Sequence, residues 1–189
     1  MPFFTLIEIF YLLVLVLSIG YIFTSFIKDP SAKYYSLGFN WQDFKFALLV
    51  AAPGIVIHEL LHKFTAIFFG LSANFYIFWA GLGIAVFLKL ISSPFLLIAP
   101  GYVAISGDAT QLQSDLNSFA GPLANLLIWL IAYLILNNAK KLSRQQAVLL
   151  YLTKKINLTL FIFNMIPIPP LDGFKVFYGL FTYASSFFA

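Results

Sequence analysis

The sequence predicts an all-α membrane protein: a bundle of about six transmembrane helices with small strand-like, membrane-associated segments. Three observations carry that expectation. Of 189 residues, 61% are hydrophobic and only 10% are charged, against about a quarter charged in soluble domains. Mean hydropathy is +0.93. Apolar windows close to the roughly 20 residues of a membrane span recur along the whole chain. Residues 1–189 therefore read as a single integral membrane domain with little room for a soluble one.

The first window, near residues 4 to 27, begins "MPFFTLIEIFYLLVLVLSIGYIF". It lacks a basic leader and its apolar core is longer than a signal peptide's, so it reads as a retained helix. The polar connection "KDPSAKYYSLGFNWQD", with Pro30 and Gly38 as breakers, separates it from a second helix at 44 to 69. "ANFYIFW", residues 73 to 79, is aromatic and strand-like, and a helix at 80 to 99 follows; whether it crosses fully is open. In "APGYVAISGDATQLQSD" the run "GYVAIS" has strand character, and the rest reads as polar loop. Such backbone survives near lipid only with its hydrogen bonds closed, as in a small hairpin or sheet. Helices at 118 to 138, 145 to 165 and 172 to 188 complete the chain.

Lys140, Lys141, Arg144, Lys154 and Lys155 cluster between residues 139 and 155 and favour the cytoplasmic side for that connection. The stretch 100 to 117 carries Asp108 and Asp115 without Lys or Arg and is expected to face outward. Lys28, Lys33 and Lys45 leave the topology of the first two helices open. No dense basic run points to nucleic acid, so the net charge of +4 reads as membrane orientation. There is no cysteine, which excludes disulfides and thiolate metal sites.

The chain's only two histidines and one of its two glutamates fall together in "GIVIHELLHKFTA", residues 54 to 66. On a helix, His58 and His62 lie one turn apart on one face and can converge on one ion. Glu59 points to the side of that face, within reach of a water bound there. This is the H-E-x-x-H arrangement in which two imidazoles hold Zn²⁺ and the glutamate is general base. A lone membrane histidine is usually a packing residue. Three ionisable groups together in an apolar run need the compensation that a metal and water provide.

A catalytic zinc takes three protein ligands and leaves a position for water. The remaining candidates are Glu8, Asp29, Asp43, Asp108, Asp115 and Asp172. The first is expected to snorkel to the interface, and the next four read as solvated loop residues. Asp172 follows three prolines in "NMIPIPPLDGFKVF", where Pro167, Pro169 and Pro170 break the helical ladder and Asp172 can cap the next helix. Broken helices at membrane depth line polar cavities, so Asp172 is the preferred third ligand. Lys89 is expected to snorkel. A haem reading is weaker, because histidines on one turn cannot supply opposite axial ligands.

The motifs in order, "HELLH", "AGPLANLLI" and "NMIPIPPLDG", resemble the site-2 protease family of intramembrane zinc metalloproteases in its compact prokaryotic form. "APGYVAISG" is similar to the region before that family's middle helix. The likeness covers residues 54 to 177. It implies that His58, His62 and Asp172 bind one zinc per chain, that Glu59 is general base, and that the substrates are membrane-spanning proteins cut within or beside their helices. It further implies a multi-pass protein of the cell membrane. Asn164 matches an asparagine that holds substrate or the developing oxyanion; Asn125 matches one on the middle helix and is a candidate for similar help. Gly121 and Pro122 are expected at close packing and a helix start. Leu61 departs from the small residue common there, and no PDZ-like domain fits the remaining length.

Two expectations stay open. "ANFYIFW" could accept an unwound substrate as an added strand, or be only a membrane-surface hairpin. The rival from another class is a non-catalytic membrane zinc-binding or metal-transport protein with the same three ligands, although a closed structural site does not need Glu59.

Overall fold

The computed structural model describes residues 3–32, 39–93 and 101–186. Gly38, Lys33 and the end of the expected helix at 80 to 99 lie outside the described residues, as do 187 to 189. The chain runs α1 (Leu6–Phe23), α2 (Trp41–Phe68), β1 (Ser72–Ile77), α3 (Trp79–Leu90), β2 (Gly101–Ser106), α4 (Gln111–Asn138), α5 (Arg144–Asn164) and α6 (Asp172–Ser186). The fold class is the expected one: among the described residues there are six helices and a small two-stranded sheet. α1, α2, α4 and α5 are long and apolar enough to cross a membrane. α3 and α6, with 12 and 15 residues, reach only about 18 and 22 Å, short of the roughly 30 Å hydrocarbon layer. Two of the six expected spans are therefore short among the described residues. α3 ends where Ser92 takes the left-handed conformation, φ 53°.

Helix starts follow local chemistry. Thr5 with Glu8, Thr110 with Gln113 and Ser143 with Gln146 form capping boxes at α1, α4 and α5. In each, a hydroxyl accepts from one orphan N–H while the Glu or Gln carboxyl or amide oxygen accepts from the cap's own. The box at Thr110 starts α4 seven residues before the apolar window, so Pro122 lies inside the helix rather than at its start.

α2 is the hub, packed on α1, α4, α5 and both strands, with α4 also against α5 and α6. Its inward stripe runs Ala47, Ala51, Gly54, His58 and His62, all buried. Opposite it, α4 offers Asn117, Gly121 and Ala124, also buried. In lipid, helices associate through close packing of small residues, and here that stripe leads directly to the polar groups.

The strands pair antiparallel, Ser72 with Ser106 through Ile77 with Gly101, which closes the backbone of "GYVAIS" and "ANFYI" as expected. The other edge of β1 is closed by side chains. Lys63 Nζ donates to Ala73 O at 2.7 Å, and Glu8 Oε1 accepts from Phe75 N at 2.8 Å. Glu8 and Lys63 also pair with each other at 2.5 Å, both 2% exposed at the side chain. Glu8 Oε2 serves the α1 cap, accepting from Thr5 N at 2.9 Å. The expectation that Glu8 snorkels is thus corrected: its carboxylate is satisfied inside by a cation, a strand and a helix start, so it has no need of the interface.

Three further expectations change. Lys89, half-buried, does not end in water alone; its Nζ donates to Tyr21 O and Thr24 Oγ1, at the C-terminal end of α1, and lies over the Tyr21 ring. The carbonyl end of a helix carries partial negative charge that attracts a cation. Asp43 is a buried residue in the first turn of α2, accepting from Asp29 N at 2.9 Å and paired with Lys28 at 3.1 Å. Asp115 lies on α4, where Oδ1 accepts from Gln111 Nε2.

Candidate metal centre

Pro167, Pro169 and Pro170 stop α5 from continuing, and the chain turns through residues 165 to 171 before α6 begins at Asp172. Gly173 allows the approach: a Cβ there would come within 2.5 Å of Met165 O. Asp172 is the first residue of α6. Its carboxylate reaches across to α2 instead of capping its own helix, and Oδ2 lies 3.2 Å from His58 Nε2 and 3.3 Å from His62 Nε2. The two Nε2 atoms are 3.2 Å apart. The turn at the end of α5 thereby joins residues more than a hundred positions apart into one group of three donors.

The other imidazole nitrogens are committed elsewhere. His62 Nδ1 donates to Asn117 O at 2.8 Å, and Asn117 Nδ2 donates back to His62 O at 2.9 Å. His58 Nδ1 donates to Asn125 Oδ1 at 2.7 Å. With both Nδ1 protons so engaged, neutral imidazoles present two Nε2 lone pairs to each other and to a carboxylate. Three lone-pair atoms packed this closely repel unless a proton or a metal ion stands between them. In a tetrahedral site with bonds of 2.0–2.1 Å, ligand atoms sit about 3.3 Å apart. The observed triangle has those edges, so the residues present fit a zinc ion.

His58, His62 and Asp172 are the one such group among the described residues. They share a cavity of about 1050 Å³ with Glu59, Asn125 and Asn164. Glu59, 9% exposed, lines it next to the donors. Asn164, the last residue of α5, is half-buried, with Nδ2 donating to Leu160 O at 3.0 Å. Asn125 is fully buried and stands behind His58, both its N–H groups donating to Gly54 O and Asn157 Oδ1 at 3.0 Å. Gly121 covers the triangle from α4: a Cβ there would lie 2.7 Å from His58 Nε2. Any side chain at 121 would fill the space the ion needs.

Sequence reasoning passed over Asn117, Asn157 and Lys63. Each had a signal. Asn117, Gly121 and Asn125 recur at intervals of four along α4, and Asn157 precedes Asn164 by seven, the spacing of one helical face. Lys63 is an unexplained cation in an apolar run, with Glu8 as the matching anion.

Fold and site together define the class: a helical membrane protein with a His–His–Asp donor group able to hold a metal ion. No protein-family model matches the chain, and no solved structure matches it. It is 35% identical over 138 residues to a protein of Methanocaldococcus jannaschii named "Putative zinc metalloprotease MJ0611", covering 70% of this chain and 69% of that protein. A Bacillus subtilis protein named "Putative zinc metalloprotease YwhC" is 35% identical over 74 residues, 35% of this chain and 34% of its own length. The chain belongs to the family of these zinc metalloproteases.

Proposed function

We propose that this protein is an intramembrane zinc metalloprotease of the site-2 protease type, a multi-pass protein of the cell membrane that hydrolyses peptide bonds within or next to transmembrane segments of its substrates. The observation that carries the reading is the donor triangle of 3.2, 3.2 and 3.3 Å edges, with its two histidines and Glu59 on α2, a helix long and apolar enough to cross a membrane, and its carboxylate on α6. His58 Nε2, His62 Nε2 and Asp172 Oδ2 would hold one zinc. When bound, that ion supplies a Lewis acid able to acidify water near neutral pH and to polarise a carbonyl.

The chain's own groups do the rest. Glu59 takes the proton of the attacking water as its oxygen closes on the scissile carbonyl carbon, then returns it to the leaving amide nitrogen. Asn164 has a second amide N–H beyond the one given to Leu160 O, and that donor serves the carbonyl oxygen as negative charge develops on it. Asn125, whose donors are engaged, acts by orienting His58. The cavity supplies the water path that an intramembrane hydrolase requires.

A substrate helix must unwind before its carbonyl is reachable, and a sheet edge can receive the freed backbone. β1 cannot do so at residues 73 to 75, because Lys63 and Glu8 occupy its outer groups. Those bonds also set the ladder: the backbone groups of Ala73 and Phe75 point away from β2, so those of their partners Ile105 and Val103 point away from β1. β2 is the edge that receives substrate; Val103 and Ile105 line the cavity. Val103→Pro removes one outward N–H and leaves the β1 ladder intact. It should lower cleavage about five- to tenfold with zinc content unchanged, the loss of one hydrogen bond. Unaltered cleavage by that variant would sink strand addition.

The reading as a whole is tested with purified protein in detergent, by measuring zinc content and cutting of a single-span reporter. About one zinc per chain together with cleavage is the expected result. Stoichiometric zinc with no membrane substrate ever cut would hand the site to the non-catalytic zinc-binding or metal-transport alternative.

A further inference from the structure

α5 buries one residue along its length, and that residue is an amide: Asn157, 0% exposed. An amide enclosed in an apolar bundle is retained at a cost unless its hydrogen bonds are complete. Those of Asn157 lead to the metal centre. Its Nδ2 donates to Thr153 O on the preceding turn at 2.8 Å, and its Oδ1 accepts from Asn125 Nδ2 at 3.0 Å. Asn125 Nδ2 also donates to Gly54 O at 3.0 Å, and Asn125 Oδ1 faces His58 Nδ1 at 2.7 Å.

The direction of this chain is set from outside. A backbone carbonyl only accepts, so Thr153 O requires Nδ2 of Asn157 to face it, which turns Asn157 Oδ1 toward Asn125. Asn125 then meets two acceptors, Asn157 Oδ1 and Gly54 O, and must present its own Nδ2 to both. Reversing its amide would place oxygen against oxygen twice at a fully buried residue. Asn125 Oδ1 is thereby held on His58, whose Nδ1 must carry the proton and whose Nε2 must keep its lone pair. Gly54 completes the arrangement, since a Cβ there would come within 2.5 Å of Asn157 Oδ1.

We propose that Asn157 is a positioning residue for the metal centre: acting through Asn125, it sets the tautomer and ring orientation of His58 so that Nε2 is available to the ion. The inference rests on the zinc reading above and goes beyond it by assigning a role to a residue outside the cavity and outside every motif in the sequence. His62 needs no such relay, because Asn117 O, an obligate acceptor, sets its tautomer directly.

The test is the zinc dissociation constant of the purified protein, measured by chelator competition for wild type, Asn157→Leu, Asn125→Leu and the double variant. Asn157→Leu should weaken zinc binding about tenfold or more, as losing partners behind a ligating histidine does. Added to Asn125→Leu it should cause no further loss, because it has nothing left to act through. Gly54→Ala, which crowds Asn157 without removing it and favours the helix, should reproduce the loss and decides the matter if Asn157→Leu does not fold. Wild-type affinity in Asn157→Leu, or a loss that adds in full to that of Asn125→Leu, overturns the proposal while leaving the zinc site standing. A wild-type protein that takes up no zinc overturns both.

Discussion

Glu59→Gln is expected to cut reporter cleavage about 10²–10⁴-fold while the protein keeps about one zinc per chain. The reason lies in the geometry. The three donor atoms belong to His58, His62 and Asp172, and Glu59 shares their cavity without joining the triangle. Gln has nearly the same shape as Glu and is uncharged, so the cavity and the donors should persist. What disappears is a carboxylate able to take a proton from water, worth roughly 3–5 kcal/mol of barrier at about 1.4 kcal/mol per tenfold. Asp172→Ala is the contrasting arm and should lose both zinc and cleavage, because two imidazoles alone leave the site a ligand short. Zinc content and initial cleavage rate, measured on the same preparations, separate the two roles. Full cleavage by Glu59→Gln would remove the general base and with it the proposed reaction.

Lys63→Met should destabilise the fold by about 3–5 kcal/mol, the cost of leaving a buried charge without its partner. Glu8 and Lys63 are both sealed from solvent. Lys63 follows His62 directly in α2, Glu8 sits in the first turn of α1, and both hold β1 through Ala73 O and Phe75 N. Without the ammonium, the carboxylate keeps its bonds to Thr5 and Phe75 but loses the charge that balances it, and Ala73 O loses its donor. Combining Lys63→Met with Glu8→Gln should recover part of the loss, since the buried charge is gone and the one amide oxygen can accept from Phe75 N, while Thr5 N then loses its acceptor. Thermal unfolding in detergent compares the single and double variants with wild type. A Lys63→Met variant as stable as wild type would show that the pair is solvated rather than buried.

Legibility differed from element to element for physical reasons. The long helices were readable because a bilayer demands about 20 apolar residues at a time. The start of α4 lies ahead of its apolar window because its first turns, "QLQSDLNS", are polar; the capping box Thr110-x-x-Gln113 marks the start, but hydropathy does not register it. The strands were readable as aromatic and β-branched runs, yet nothing in their composition says that one edge of β1 is taken by Lys63 and Glu8. Glu8 defies its local reading because, considered alone about one turn into an apolar helix, an acid is expected to snorkel to the interface. Only its partner, 55 positions away, makes burial tolerable.

At the site, the sequence by itself determined the membrane setting, the His58–Glu59–His62 face, and the proline-broken turn that makes Asp172 the preferred third donor. These depend on local rules: helical periodicity, the missing N–H of proline, and the ligand chemistry that remains when cysteine is absent. Only the tertiary structure decided the spacing of the donor triangle, the retreat of Asn125 behind His58, the contact between Asn125 and Asn157, and the closure of the β1 edge by Lys63 and Glu8. Those follow from where helices pack, and in lipid that packing is decided by small residues and closed hydrogen bonds meeting across distant segments, which no single stretch of sequence contains.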